Sequence, residues 1–329
     1  MRSETDWYGA RYIGQPEGHY ESWFLRANHP TQRLAFWIRY TIFSPRGNPD
    51  AAIGELWAIV SDGERNLVRA AKSEVPIKQC DFATVGLNVR IGQATLVPGD
   101  AQGAIESPHR IGWDLHYDGG GARIPFLPLA YYAKKLPKAK SVTTRPFVRF
   151  SGTITIDGES LSVDDWIGSE NHNWGSKHTD AYAWGQVVGF DDTPDAFLEL
   201  ITARLKLGPL WTPPLTIVTL RVGAEEIRLN TIRQAFRAKG RRDGWRWLFD
   251  SAADGVRVHG VVEAAQHDFV GLTYRNPPGG DHLCLNSKIA ACRVTLERPF
   301  RPPLVMTTAG RAAFEILTDD RSTGVPIVA

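Results

Sequence analysis

The run Phe147-Val148-Arg149-Phe150-Ser151-Gly152-Thr153-Ile154-Thr155-Ile156-Asp157-Gly158-Glu159-Ser160-Leu161-Ser162-Val163-Asp164-Asp165 decides the fold. Apolar side chains alternate with polar ones on both sides of Asp157-Gly158, and Asp-Gly between two alternating runs is the strongest short-range hairpin signal. Four more such pairs, Asp62-Gly63, Asp118-Gly119, Asp243-Gly244 and Asp254-Gly255, each adjoin strand-like runs. Helical periodicity is nearly absent. The chain reads as an antiparallel, all-β protein.

Working outward, strands are expected over 21–27, 34–43, 53–60, 66–71, 88–96, 104–107 and 111–117 in the first half. In the second half they are expected over 147–156, 160–165, 182–191, 196–204, 215–222, 244–250, 255–265, 269–274, 284–296 and 311–317. A sheet closes its edges at about eight strands, so this supply suggests two consecutive barrels. The segment 124–137 is the one place where a short helix is plausible, and Lys138-Ala139-Lys140 after it reads as a solvated linker. The boundary is therefore expected near 137–146, giving barrels over 1–140 and 141–329. A faint internal parallel sets 34–40 and 54–57 beside 182–186 and 197–200: a strand with a central Trp, then one with a Glu among apolar neighbours.

Composition narrows function. Lys and Arg number 38 against 36 Asp and Glu, a net charge of +2 that offers no field for tracking nucleic acid. Met1-Arg2-Ser3-Glu4-Thr5-Asp6-Trp7 lacks a secretory apolar stretch, no membrane-length apolar run follows, and Cys80, Cys284 and Cys292 form no CxxC pair. A cytoplasmic location is the expectation. GxGxxG after a strand, GxxxxGK[ST], GxSxG and HExxH are all missing, which removes dehydrogenases, kinases and α/β-hydrolases. The 11 Trp, 9 Tyr and 14 Phe, with 31 Gly and 21 Pro, suggest β-structure around wide cores or cavities.

The densest chemistry is Glu170-Asn171-His172-Asn173-Trp174, directly before the aromatic strand 182–191. This block either lines a cavity mouth or forms a barrel-closing plug, with Trp174 filling the end. A zinc reading through Glu170, His172 and His178 fits no compact ligand spacing. On the following strand Tyr182, Trp184, Gln186 and Val188 share one face, expected to point inward, and Ala183, Gly185 and Val187 share the other. By the same parity Phe36, Ile38 and Tyr40 oppose Ala35, Trp37 and Arg39, and Trp113 shares a face with Leu115 and Tyr117. Glu55 and Glu199 sit among apolar neighbours, where burial raises a carboxyl pKa unless an arginine such as Arg39 or Arg204 holds it ionised.

The segment from Gly152 to Asp191, with Asp157-Gly158, Asn171-His172-Asn173-Trp174-Gly175 and Tyr182-Ala183-Trp184-Gly185, resembles the two-domain lipocalin-like (AttH-type) superfamily. That group includes carotenoid 1,2-hydratase, tocopherol cyclase and lipocalin-like Diels–Alderases. The first half matches more loosely, through Glu21-Ser22-Trp23 and Gly112-Trp113-Asp114-Leu115. The resemblance implies two calycin-type barrels with an elongated apolar cavity for an isoprenoid or polyketide-like molecule. It leaves the reaction open.

The expected function is a cofactor-independent, metal-free enzyme that hydrates, cyclises or isomerises a hydrophobic alkene. The alternative is a non-catalytic carrier of an apolar metabolite. Glu170 or His172 is the expected acid, with Trp174 and Trp184 as cation-facing walls. In a pericyclic variant, Gln186 or His172 polarises a carbonyl. Tyr182, Glu199, Tyr40, Glu55 and Trp113 complete the expected substrate-binding set.

Overall fold

A computed structural model describes residues 6–328. The first sheet contains β1 (His19–Asn28), β2 (Leu34–Ser44), β3 (Ile53–Asp62), β4 (Leu67–Pro76), β5 (Cys80–Phe82) and β6 (Val89–Ile91). It continues through β7 (Ala94–Val97), β8 (Asp100–Ile105), β9 (Ile111–Gly120), β10 (Ile124–Pro125), β11 (Ala139–Ile156) and β12 (Glu159–Gly175). The second half supplies β13 (Ala181–Val188), β14 (Ala196–Arg204), a small separate ribbon of β15 (Lys206–Leu207) and β16 (Leu210–Trp211), and β17 (Leu215–Val222). After β18 (Glu225–Leu229) and helix α1 (Ile232–Arg237) come β19 (Lys239–Asp243), β20 (Arg246–Ala253), β21 (Val256–Glu263) and β22 (Val270–Arg275). Two long strands, β23 (Asp281–Arg298) and β24 (Arg301–Thr318), finish the second sheet.

The two sheets repeat one topology. The first runs β4-β3-β2-β1-β12-β11-β9-β8-β7-β6-β5 with β10 added on β11, and the second runs β18-β17-β14-β13-β24-β23-β21-β20-β19 with β22 added on β23. The duplication suggested by the sequence is thus present as strand order, but shifted by one strand: β2 occupies the place of β14, not of β13. Each sheet curls toward closure. In the first, a Cβ on Gly54 of β3 would lie 2.6 Å from Cys80 Sγ of β5, so these distant strands meet only because residue 54 has no side chain.

Asp157 and Gly158 both take positive φ, 52° and 96°, and close the β11–β12 hairpin as their sequence demands. Asp62-Gly63, Asp243-Gly244 and Asp254-Gly255 also lie at hairpin turns, whereas Asp118-Gly119 lies inside β9. Three expectations need correction. Residue 140 falls within β11, and residues 139–175 are hydrogen-bonded into the first sheet, so the chain changes sheets between Gly175 and Ala181. The lysine-rich stretch is the start of a long strand that pairs with β9 and β12. Residues 124–137 hold the short strand β10 and a single 3-10 turn, Leu129–Tyr131, while the α-helix found among the described residues is α1, announced by the capping box Thr231/Gln234. Finally, β12 runs unbroken through the Glu170-to-Trp174 block, which is paired to β1 on one side and β11 on the other, so the block is mid-sheet strand and not a plug.

Inside the first barrel, Trp23, Phe36, Tyr40, Trp113, Tyr117, Phe150 and Trp166 pack together with aliphatic neighbours. Trp247, Phe249, Phe269, Phe314 and Met306 fill the second. A third cluster, including Phe24, Trp37, Trp57, Trp184, Leu272 and Tyr274, draws on both sheets and lies between them. Strand parity explains this: β1 and β2 turn Trp23, Phe36, Ile38 and Tyr40 into their own barrel and Phe24 and Trp37 toward its neighbour. The barrels therefore meet through the backs of their sheets, along a seam rich in aromatic rings.

Candidate functional site

Each barrel interior holds a cluster of buried core side chains, and a further set of buried polar and titratable groups lies along the seam. On β13 the grouping read from parity holds, but its direction is reversed. Ala183 and Val187 pack in the second barrel's core, whereas Trp184, with Tyr182 packed alongside, joins the inter-barrel cluster. Gly185 agrees with this orientation: a Cβ there would lie 3.2 Å from the Trp247 ring, so the core leaves little room for a side chain at that position.

One end of the seam is a polar ring. Ser169 Oγ donates to Gln186 Oε1 at 2.8 Å, Gln186 Nε2 donates to Asn171 Oδ1 at 2.9 Å, and Asn171 Nδ2 donates to Ser169 Oγ at 2.9 Å. Arg26, also buried, donates to the Gln186 carbonyl at 2.9 Å and the Arg311 carbonyl at 2.8 Å, tying the barrels together. Beside this ring lies Glu199, 1% exposed, whose carboxylate accepts from Thr143 Oγ1 at 2.9 Å and from Trp184 Nε1 at 3.2 Å. No cation among the described residues pairs with it. Burial pushes its pKa up to about 7, against the smaller opposing effects of the Thr143 and Trp184 hydrogen bonds and the Arg26 charge.

Toward the other end the seam is lined by Trp37, Trp57, Tyr182, Tyr274, Cys284 and Arg39. The Arg39 guanidinium lies 4.8 Å from the Tyr274 ring centroid and 5.9 Å from that of Trp37. Lys288 Nζ donates to Glu315 Oε1 at 2.6 Å and Asn286 Oδ1 at 3.0 Å, all within the seam. Burial pushes the Cys284 thiol up to about 12 and the His178 imidazole down to about 3, so both are neutral at ordinary pH. His178 stacks on Tyr20 at 3.9 Å and Tyr274 at 5.9 Å. A 280 Å³ surface depression lined by Asp180, Asn276 and His282 borders this end, and Asn276 Oδ1 accepts from the His178 backbone N–H.

The residues singled out from sequence divide into two groups. Tyr182, Trp184, Gln186 and Glu199 come together in the seam. Glu55 faces the same way but is neutralised by Arg275 at 2.6 Å and Lys72 at 3.1 Å, not by Arg39. Tyr40 and Trp113 face the first barrel's interior, where Trp113 Nε1 donates to Tyr40 Oη at 2.8 Å and Tyr40 Oη donates to the Thr95 carbonyl. Glu170 also faces that interior, accepting from Tyr117 Oη at 2.8 Å and Thr144 Oγ1 at 2.6 Å. His172, fully buried, has an oxygen acceptor at each ring nitrogen: the Trp7 carbonyl at 2.8 Å and Glu21 at 2.9 Å. Trp174 is capped by the Arg11 guanidinium at 3.7 Å. Glu170 and His172 thus belong to separate structural networks, and His178 lies in the seam apart from both. Lys288 and Glu315 were missed, since polar neighbours and other charges on their long strands mask them, while Arg39, the one charge of β2, was read only as a possible partner of a buried glutamate.

Comparison with known proteins agrees with this architecture. No protein-family model matches the chain. An uncharacterised Mycobacterium tuberculosis protein, Rv0493c, is 22% identical over 284 residues, spanning 85% of this chain and 82% of the relative. Among solved structures, a putative AttH from Nitrosomonas europaea superposes with a TM-score of 0.57 at 12% identity, covering 93% of this chain and 94% of that one. Kievitone hydratase from Nectria haematococca gives 0.56 at 12% identity with 95% of each chain covered, and CghA with Sch210972 gives 0.58 at 13% with 96% of each. The chain therefore has the two-barrel, lipocalin-like fold of the AttH-type proteins.

Proposed function

We propose that this protein is an enzyme of the hydratase or cyclase kind, acting on an apolar, alkene-bearing small molecule in the seam between its barrels. The observation that carries this reading is Glu199: a buried carboxyl without a cationic partner among the described residues, half-protonated near pH 7 and hydrogen-bonded by the indole N–H of Trp184. The donor role expected of Glu170 and His172 passes to it. Proton transfer from Glu199 to one alkene carbon forms a C–H bond from the π electrons and leaves a carbocation on the other carbon. The indole faces of Trp184, Trp37 and Trp57 offer electron density to such a cation. Water addition, with its surplus proton returning to the Glu199 carboxylate, completes a hydration. Attack by a second π bond closes a ring, and loss of a neighbouring proton to the same carboxylate completes a cyclisation or an isomerisation. A fold neighbour named as a hydratase supports the first branch.

Incubation of a panel of isoprenoid and polyene substrates in D2O, followed by mass spectrometry, tests the reading. Deuterium is expected at carbon with the native protein, and Glu199→Gln is expected to lower the rate by roughly 10²–10⁴ with ligand affinity within a few-fold. Tight binding without deuterium incorporation would make the protein a carrier.

A further inference from the structure

Arg39 lies on β2, is 6% exposed, and makes no hydrogen bond or ion pair with any described residue. Its charge is retained: burial works against it, and the neighbouring Tyr274, Glu315, Glu55 and Tyr182 more than offset that, so its pKa is raised. The nearby cations are already matched, Lys288 by Glu315, and Lys72 and Arg275 by Glu55 and Glu74. Among these four cations, Arg39 alone has no ion-pair partner among the described residues. Around it, Trp37 Nε1, Trp57 Nε1, Tyr274 Oη and Arg39 Nε are buried without a hydrogen-bond partner, the Cys284 thiol near Tyr274 being too weak an acceptor to count. All four can donate, and unsatisfied groups of one kind seldom gather in a native interior.

We propose that Arg39, with Tyr274, Trp37 and Trp57, forms a subsite for the carboxylate of an otherwise apolar ligand, an inference that rests on the seam being the ligand site. A guanidinium presents parallel N–H groups that match a planar carboxylate, and one guanidinium without an ion pair fits a monoanion better than a phosphate dianion. The ring faces of Trp37 and Tyr274 flank the guanidinium, and Phe24, Leu272 and Trp184 carry the apolar surface onward toward Glu199. The ligand would lie with its acid at Arg39 and its alkene toward Glu199.

Titration of tryptophan fluorescence with matched pairs tests this on the full chain: retinoate against methyl retinoate and retinol, and dodecanoate against its methyl ester. Acids are expected to bind about 10- to 100-fold more tightly than their esters. Arg39→Met should erase that gap and leave ester affinity within a few-fold, a loss of acid-over-ester discrimination that a merely structural arginine would not show. Equal affinities, a gap that survives Arg39→Met, or no binding by any acid of the panel would overturn the subsite. Should Arg39→Met fail to melt cooperatively, Arg39→Lys and Tyr274→Phe decide, because either must narrow the gap. Turnover with no acid preference would sink the subsite alone, whereas acid preference without deuterium incorporation would sink the enzymatic reading alone.

Discussion

The Glu199 carboxylate accepts a hydrogen bond from the Trp184 indole at 3.2 Å, placing a titratable acid against an aromatic wall on neighbouring strands of one sheet. The same burial that makes this carboxyl a proton donor makes it costly once ionised, so its protonation should be visible in stability as well as in rate.

Glu199 binds its proton up to about pH 7 when folded, against an ordinary value of 4.5. Between these values the folded state holds more protons than the unfolded chain, so stability falls as pH rises through this window. The loss is on the order of 3 kcal/mol and complete above about pH 8. Glu199→Gln should flatten that slope in urea titrations run from pH 5 to 8, and an unchanged slope would contradict the burial argument.

Glu21 titrates in the opposite sense. It accepts the Arg11 backbone N–H at 2.8 Å and the Tyr12 N–H at 3.1 Å, and His19 and His172 each approach within 2.9 Å. Burial works to raise its pKa, but the hydrogen bonds and charges of His172 and His19 overcome this and hold it at about 2. Its contribution is present above the ordinary value and is lost as pH falls through about 2. Glu21→Ala should cost about 3–5 kcal/mol at pH 7 by leaving buried partners uncompensated. Faster hydrogen exchange of the Arg11 and Tyr12 amides in that variant would show that Glu21 anchors the N-terminal segment.

Glu170 and Tyr117 form a hydrogen bond at 2.8 Å within the first barrel. Tyr117→Phe should lower stability by about 1–3 kcal/mol, because a buried acceptor loses its donor. Turnover per folded molecule should stay within a few-fold for both Tyr117→Phe and Glu170→Gln. A stable Glu170→Gln protein with turnover reduced a hundredfold would return the donor role to Glu170.

Lys288 and Glu315, an ion pair at 2.6 Å inside the seam, offer a double-mutant test. Lys288→Met alone should cost about 3–5 kcal/mol, since it strands a buried carboxylate. Lys288→Met with Glu315→Leu should recover most of that loss. Additive losses measured by urea denaturation would argue that the two side chains act independently.

Much of the fold was legible along the chain because its cues are local. Asp157-Gly158 takes left-handed backbone angles at the tip of β11–β12 whatever surrounds it, and the period-two alternation sorted Phe36, Ile38 and Tyr40 from Trp37 and Arg39 before any contact was known. The buried acid Glu199 could likewise be picked from its apolar neighbours. What the sequence by itself could not supply was the sense of each face. On β13 both sides are apolar, since one packs into its own barrel and the other against the neighbouring barrel, and alternation labels two sets without saying which is interior. Tertiary structure decided that, and the little room Trp247 leaves at Gly185 agrees with it. It also assigned residues 139–175 to the first barrel and left Arg39 without an ion-pair partner among the described residues, because strand pairing and charge balance depend on residues far apart in the chain.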